Sequence, residues 1–153
     1  MGDMSLEQIS EKMRDIDFAV LVTRTDGGAL AGRPMSNNRD VDYDGDSYFF
    51  ALDDTRMVGD IRRDAHVALT YQSRTGLLGL KPFFLTVEGR AELIRDRPRF
   101  ADHWNADLDS WFEQGVDTPG LTLIRIAAER LHYWDGGDEG ELTLGAAVQQ
   151  ATG

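Results

Sequence analysis

The spacing of apolar and polar positions changes several times along the chain, and each change marks an expected element. Ser5-Leu6-Glu7-Gln8 has the form of a capping box, and Leu6, Ile9, Met13 and Ile16 follow at helical spacing, so a helix opens the fold with one face on the core. Phe18-Ala19-Val20-Leu21-Val22-Thr23 is apolar and β-branched and reads as a strand. Thr25-Asp26-Gly27-Gly28 turns the chain, and Ala29 to Asn37 returns as a second strand in which Pro34 implies an edge or a bulge. After the turn at Asp44-Gly45-Asp46, Ser47 to Leu52 forms a third strand. Asp53-Asp54-Thr55 supplies helix-start chemistry for Arg56 to Arg63, with Met57, Val58 and Ile61 on its apolar side. Val67 to Tyr71 is a fourth strand, and the glycines and proline of residues 73–82 read as a loop. Phe83 to Ile94 makes a long fifth strand with a bend or bulge at Gly89, and Arg97 to Trp111 divides into two short helices with Pro98 near the first position. Leu121 to Trp134 is the sixth strand, with room for a break near Ala127–Glu129.

Six strands with helices inserted between only some of them predict a mainly β, antiparallel barrel with peripheral helices. Regular strand–helix alternation is absent, as are a G-x-G-x-x-G turn and a P-loop, which argues against a nucleotide-binding α/β fold. The 153 residues suit one domain, expected over residues 1–140, with the small-residue segment 141–153 a poorly ordered tail. The longest apolar run, Phe18–Val22, is far short of the ~18 residues of a membrane span. No basic, apolar leader of the secretory kind opens the sequence, and with no cysteine there is neither a disulfide framework nor a thiolate metal site. A cytoplasmic location is the default expectation.

Charge narrows the partners further. Asp and Glu number 27 against 16 Lys and Arg, a formal charge of −11. A field of that sign disfavours nucleic acid and anionic lipid surfaces. Any phosphate-bearing ligand has to be gripped by local donors, so the position of each arginine carries information. His66, His103 and His132 share no metal-ligand spacing, and no metal site is expected. Asp40-Val41-Asp42-Tyr43-Asp44-Gly45-Asp46 has the density of a calcium loop, but its twelfth residue is Ala51 rather than glutamate, and a solvated turn is the better reading. No serine occupies a nucleophile-elbow motif. Asp102, Asp107, Asp109 and Glu113 mark a polar helix face.

Three segments, in order, carry a resemblance: Gly32-Arg33-Pro34-Met35-Ser36; Phe49-Phe50-Ala51 followed by Thr55-Arg56-Met57 at a helix start; and Leu131-His132-Tyr133-Trp134-Asp135-Gly136. With Leu85 to Ala91 between the last two, they resemble the FMN-binding split barrels of the pyridoxamine-phosphate oxidase superfamily, and are most similar to its general stress protein 26 group. The resemblance covers roughly Ser5 to Gly136. It implies a six-stranded split barrel that dimerises with FMN at the subunit interface. Arg33 would fork onto the phosphate. Thr55, Arg56 and Met57 would add a hydroxyl, a cation and helix-start amides. Pro34, Met35, Ser36, Phe50 and Ala51 would edge the ribityl chain and ring, and Trp134 would wall the partner's site. Without the resemblance, Arg33 reads as a solvated strand residue, Met35 and Phe50 as core, Thr55 as a cap and Trp134 as a core or interface aromatic.

The departures restrict the chemistry. Met57 stands where many relatives carry a lysine, whose loss costs about 1.5–3 kcal/mol of phosphate binding. Phe84 replaces a flavin-facing glutamine, Asn38 replaces a lysine of the pyridoxal-phosphate site, and Asp135 to Gly140 lacks the cationic residues that grip a substrate phosphate. A true pyridoxamine-phosphate oxidase is therefore not expected. The resemblance implies an FMN-dependent oxidoreductase using a nicotinamide donor, NADH or NADPH, on an unknown small molecule. The alternatives are a non-catalytic flavin-binding stress protein that stores or senses the cofactor, and a barrel using FAD or deazaflavin F420. No general acid or base can be named from the residues.

Overall fold

The computed structural model describes residues 3–37, 42–74 and 81–144. Helix α1 (Leu6–Met13) opens as its sequence requires. The Gln8 amide donates to Ser5 Oγ at 3.2 Å, and the Ser5 amide donates to Gln8 Oε1 at 2.8 Å. Its apolar stripe buries Ile9 and Met13. Strands β1 (Phe18–Arg24) and β2 (Leu30–Ser36) form the expected hairpin, followed by β3 (Asp46–Leu52), helix α2 (Arg56–Arg63), β4 (His66–Gln72), β5 (Phe83–Ile94) and helix α3 (Arg97–His103). Two 3-10 turns, Ala106–Ser110 and Gly115–Asp117, lead to β6 (Leu121–Asp135) and β7 (Asp138–Thr143). The second of these turns has no counterpart in the sequence reading.

All strand pairs are antiparallel, and the order is β2-β1-β4-β5-β6-β3, with β7 also paired to β6. Strands β2 and β3 are thus the two ends of the path, and β6 is long enough to pair with β5, β3 and β7 at different points along its length. The interior is filled by alternate residues of each strand, among them Leu21, Leu69, Val87, Ile124, Ile126 and Leu131, all at most 1% exposed. A second, smaller core lies between the sheet and the α3 segment: Phe50, Ile94, Phe100, Leu121 and Leu123, with Trp104 and Phe112 packed against them.

Two sequence expectations gain detail. Gly89 sits at the register shift between β5 and β6, where Glu88 pairs with Arg130 and Gly89 with Ala128, leaving Glu129 as the extra residue. The sixth strand is therefore continuous through Ala127–Glu129 but bulged. Of the tail expected from residue 141, the first four residues are ordered: β7 runs to Thr143 and Leu144 is buried in the main core. Asn38, the first residues of the acidic cluster at 40 and 41, most of the loop at 75–80 and residues 145–153 lie outside the described residues.

Candidate ligand-binding cleft

The ends of the sheet path frame a cleft. Pro34, Met35 and Ser36 of β2 line one side, and Asp46 to Phe50 of β3 line the other. Met13 and Arg14 of α1 and the segment Asp102–Phe112 after α3 complete it, around about 540 Å³ of open space. That volume falls in the range of small-molecule sites, roughly 300–1,000 Å³. Aromatic rings dominate one wall. Tyr48 and His103 stack with centroids 3.6 Å apart, Trp104 meets Phe50 edge-on at 4.9 Å, and Phe112 leans on Trp104 at 5.8 Å. Burial lowers the proton affinity of His103 below the ordinary histidine value; Asp102 opposes this and Arg99 adds to it.

Just along β2 from the cleft, Arg33 turns its side chain to the same face as its cross-strand partner Leu21. Its guanidinium donates to Thr23 Oγ1 at 2.7 Å, to the Ala31 carbonyl at 3.1 Å and to the Leu21 carbonyl at 3.4 Å, and lies 3.7 Å from Asp60. Asp60 is 2% exposed on the inner side of α2, where it accepts from the Thr23 hydroxyl at 2.8 Å and lies 3.5 Å from Arg63. Burial pulls Arg33 below the ordinary arginine value; the Asp60 charge opposes this and the Arg56 charge adds to it. Arg33 and Arg56 therefore lie close enough to feel one another.

Thr55 caps α2: its hydroxyl accepts from the Val58 amide at 3.4 Å and donates to the Leu52 carbonyl at 2.8 Å. The amides of Arg56 and Met57 have no acceptor among the described residues, as the first helical turn dictates. Arg56 is exposed and makes no ion pair among the described residues. The Met57 side chain is 7% exposed and packs into the main core, leaving only its backbone for an outside ligand. Ala51 is likewise in the main core, whereas Phe50 lines the cleft.

Of the ten residues singled out from sequence, Pro34, Met35, Ser36 and Phe50 meet in the cleft, Arg33 adjoins it next to Pro34, and Arg56, beside Thr55 at the start of α2, lies within electrostatic reach of Arg33. Trp134 is elsewhere, on the outer face of β6, stacked on His132 at 4.0 Å and paired across the strands with Phe84. His132 is held in turn by Glu139 of β7 at 2.6 Å. Sequence reasoning missed Asp60, Thr23 and the aromatic wall. Asp60 had a signal, a carboxylate at helical spacing within the apolar face of Met57 and Ile61. The wall had none, because Tyr48 and Trp104 are brought together by the packing of α3 on β3.

Comparison with known proteins places this geometry. The profile of the family described as Pyridoxamine 5'-phosphate oxidase like matches residues 4–153. Protein bli-3 of Neurospora crassa is 24% identical over 141 residues, 86% of this chain, and the chain spans 65% of that relative's length. Among solved structures, a protein related to general stress protein 26 from Clostridium acetobutylicum matches with a TM-score of 0.76 at 17% identity, over 94% of this chain and 96% of that one. General stress protein 26 from Bacillus anthracis matches at 0.69 and 21% identity, over 89% and 98%. A heme binding protein from Mycobacterium smegmatis matches at 0.71 and 16% identity, over 99% of this chain and 62% of that one. Identities this low establish the shared fold, the split barrel.

Proposed function

Because the chain belongs to the pyridoxamine 5'-phosphate oxidase like family, whose split barrels commonly bind flavin, we propose that it binds FMN and works as an FMN-dependent oxidoreductase on a small molecule. The observation that carries this reading is the anion seat beside the cleft. Arg56, exposed and without an ion pair among the described residues, stands with two amides that have no acceptor among them at the start of an eight-residue helix, within electrostatic reach of Arg33, the neighbour of cleft-lining Pro34. In a chain with a net charge of −11, such a convergence is what a phosphate monoester needs.

The residues present fit the cofactor, with a shift of roles. Arg56 and the amides of Arg56 and Met57 would hold the phosphate directly. Arg33, whose donors are engaged by Thr23, Ala31 and Asp60, would supply field more than a fork. Pro34, Met35, Ser36 and Phe50 would line the ring and ribityl chain, and Ala51 would contribute backbone. Bound FMN supplies hydride or single-electron chemistry, while the protein binds, orients and shields. Trp134 is partly exposed on the outer face of β6 and is not among the residues that line the cleft, which supports reading it as a wall for a partner subunit's cofactor in a homodimer.

Titration of the purified protein with FMN, followed by flavin fluorescence, tests the proposal. Arg56→Ala should weaken FMN binding about ten- to a hundredfold, the worth of one charge-assisted hydrogen bond, with an unchanged melting temperature. Arg33→Ala should also lower the melting temperature, because Asp60 then keeps only Arg63 and Thr23 as partners for a buried charge. Unchanged affinity in Arg56→Ala refutes the seat. Anaerobic reduction of the loaded protein by NADH or NADPH separates the oxidoreductase from a flavin-storing or flavin-sensing protein. Mass spectrometry of the bound cofactor separates FMN from FAD and deazaflavin F420.

A further inference from the structure

The cleft also selects by charge. Its carboxylates are Asp42, Asp46, Asp102 and Asp107, against a single lining arginine, Arg14, whose guanidinium is already bonded to Asp42. Asp46 is bound by Arg125 at 3.0 Å and shares its field with Glu92. Asp102 and Asp107 are exposed at the rim with no ion pair among the described residues. The wall behind them is flat and aromatic: the Tyr48–His103 stack, Trp104 and Phe112, with Trp111 69% exposed at the mouth.

These features select against the anionic rings that the anion seat next door would favour. A carboxylate or phosphate on a ring in the cleft would face the unpaired acids Asp102 and Asp107, while among the described lining residues the one arginine is already paired and Arg99 acts only from behind His103, and like charges at short range cost binding steeply. A ring with delocalised positive charge gains twice, from the rim carboxylates and from the faces of Trp104 and Tyr48. We propose that this cleft takes a planar aromatic or heteroaromatic substrate that is neutral or cationic, and rejects phosphorylated and carboxylated ones. Calling that ligand a substrate rests on the flavin reading; its charge class rests on the cleft alone.

Three rings of one shape and different charge test it: 1-methylquinolinium-3-carboxamide, quinoline-3-carboxamide and quinoline-3-carboxylate. Each is titrated calorimetrically into the full-length protein, with and without added FMN, at low ionic strength. The quinolinium should bind at least about tenfold more tightly than the carboxylate, with the neutral amide between them. Reversing the rim with Asp102→Lys and Asp107→Lys, both exposed and outside the cofactor residues, should bring the three within about threefold of one another without changing the melting temperature. Equal or tighter binding of the carboxylate overturns the proposal, as does a preference that survives rim reversal or binding by none of the three rings. Protein that shows the preference but takes up no FMN overturns the flavin reading and leaves this one standing. Protein that takes up FMN without the preference does the reverse.

Discussion

Arg33 shows how a residue's meaning changes when its neighbours are known. In sequence it is a cation on a strand; in the structure it closes a buried network of Thr23, Asp60 and Arg63. Its side chain is 22% exposed, so the network also meets the outside. Motif order alone suggests a phosphate fork for Arg33, and the carboxylate that engages it instead was not legible, since nothing in the chain says that residue 60 reaches residue 33. His103 is a second case with a measurable consequence. Stacked on Tyr48 and partly buried, it resists protonation, so its folded value lies below 6.5. The unfolded chain then binds more protons than the folded one between that lowered value and 6.5, and stability rises with pH across this window. The contribution is complete above about 6.5 and is lost as pH falls. A histidine-resolved NMR titration should place His103 below 6.5, and the Tyr48→Ala variant should move it back up. A His103 that titrates at or above 6.5 contradicts the stacked, partly buried geometry.

At the scale of elements, the helices and the first six strands were legible because each carries a local signal. The capping box at Ser5 and Gln8 forms as read, and the apolar spacing of α2 puts Met57, Val58 and Ile61 inside. Strand β7 was missed for a physical reason: Asp138-Glu139-Gly140-Glu141 has no apolar alternation and looks like an acidic loop. What orders it is charge and hydrogen bonding across the ladder, with Glu141 on Arg130 at 3.2 Å and Glu139 on His132 at 2.6 Å, while Leu142 and Leu144 pack on the core. Gly89 is legible as a glycine but not for its full reason. A Cβ there would stand 2.3 Å from the Ala127 carbonyl oxygen, a backbone atom that cannot swing aside. Gly89→Ala should therefore cost about 1–3 kcal/mol, as overpacking at a fixed backbone does, measured as a lower urea midpoint. An unchanged midpoint would mean that the β5–β6 bulge relaxes freely.

The whole molecule carries an outer sheet surface that a lone acidic domain has no reason to keep. Phe18, Val20, Leu30, Phe84 and Trp134 are each at least 37% exposed, and the strand registers put them on the outer side of β1, β2, β5 and β6. Single exposed apolar residues are ordinary, but several on one face, Phe18 and Val20 of β1 and Phe84 and Trp134 of β5 and β6 on either side of Thr70 and Gln72 of β4, mark an interaction surface. The sequence pointed to a dimer only through the family resemblance, since period-2 alternation names a face without saying whether water or protein covers it. Two chains of charge −11 repel one another, so contact between two copies has to be driven by this apolar band, and added salt should tighten it. Phe84 is partly exposed in the single chain, so Phe84→Glu should leave the melting temperature of the monomer nearly unchanged while placing a desolvated carboxylate in any interface. Sedimentation velocity should find the unsubstituted protein as a dimer and Phe84→Glu as a monomer. If Trp134 completes the partner's cofactor site, FMN affinity should fall with the dimer. A Phe84→Glu dimer that still holds FMN as tightly would show that this band is not the interface. A wild-type monomer that binds FMN would show that each barrel completes its own site.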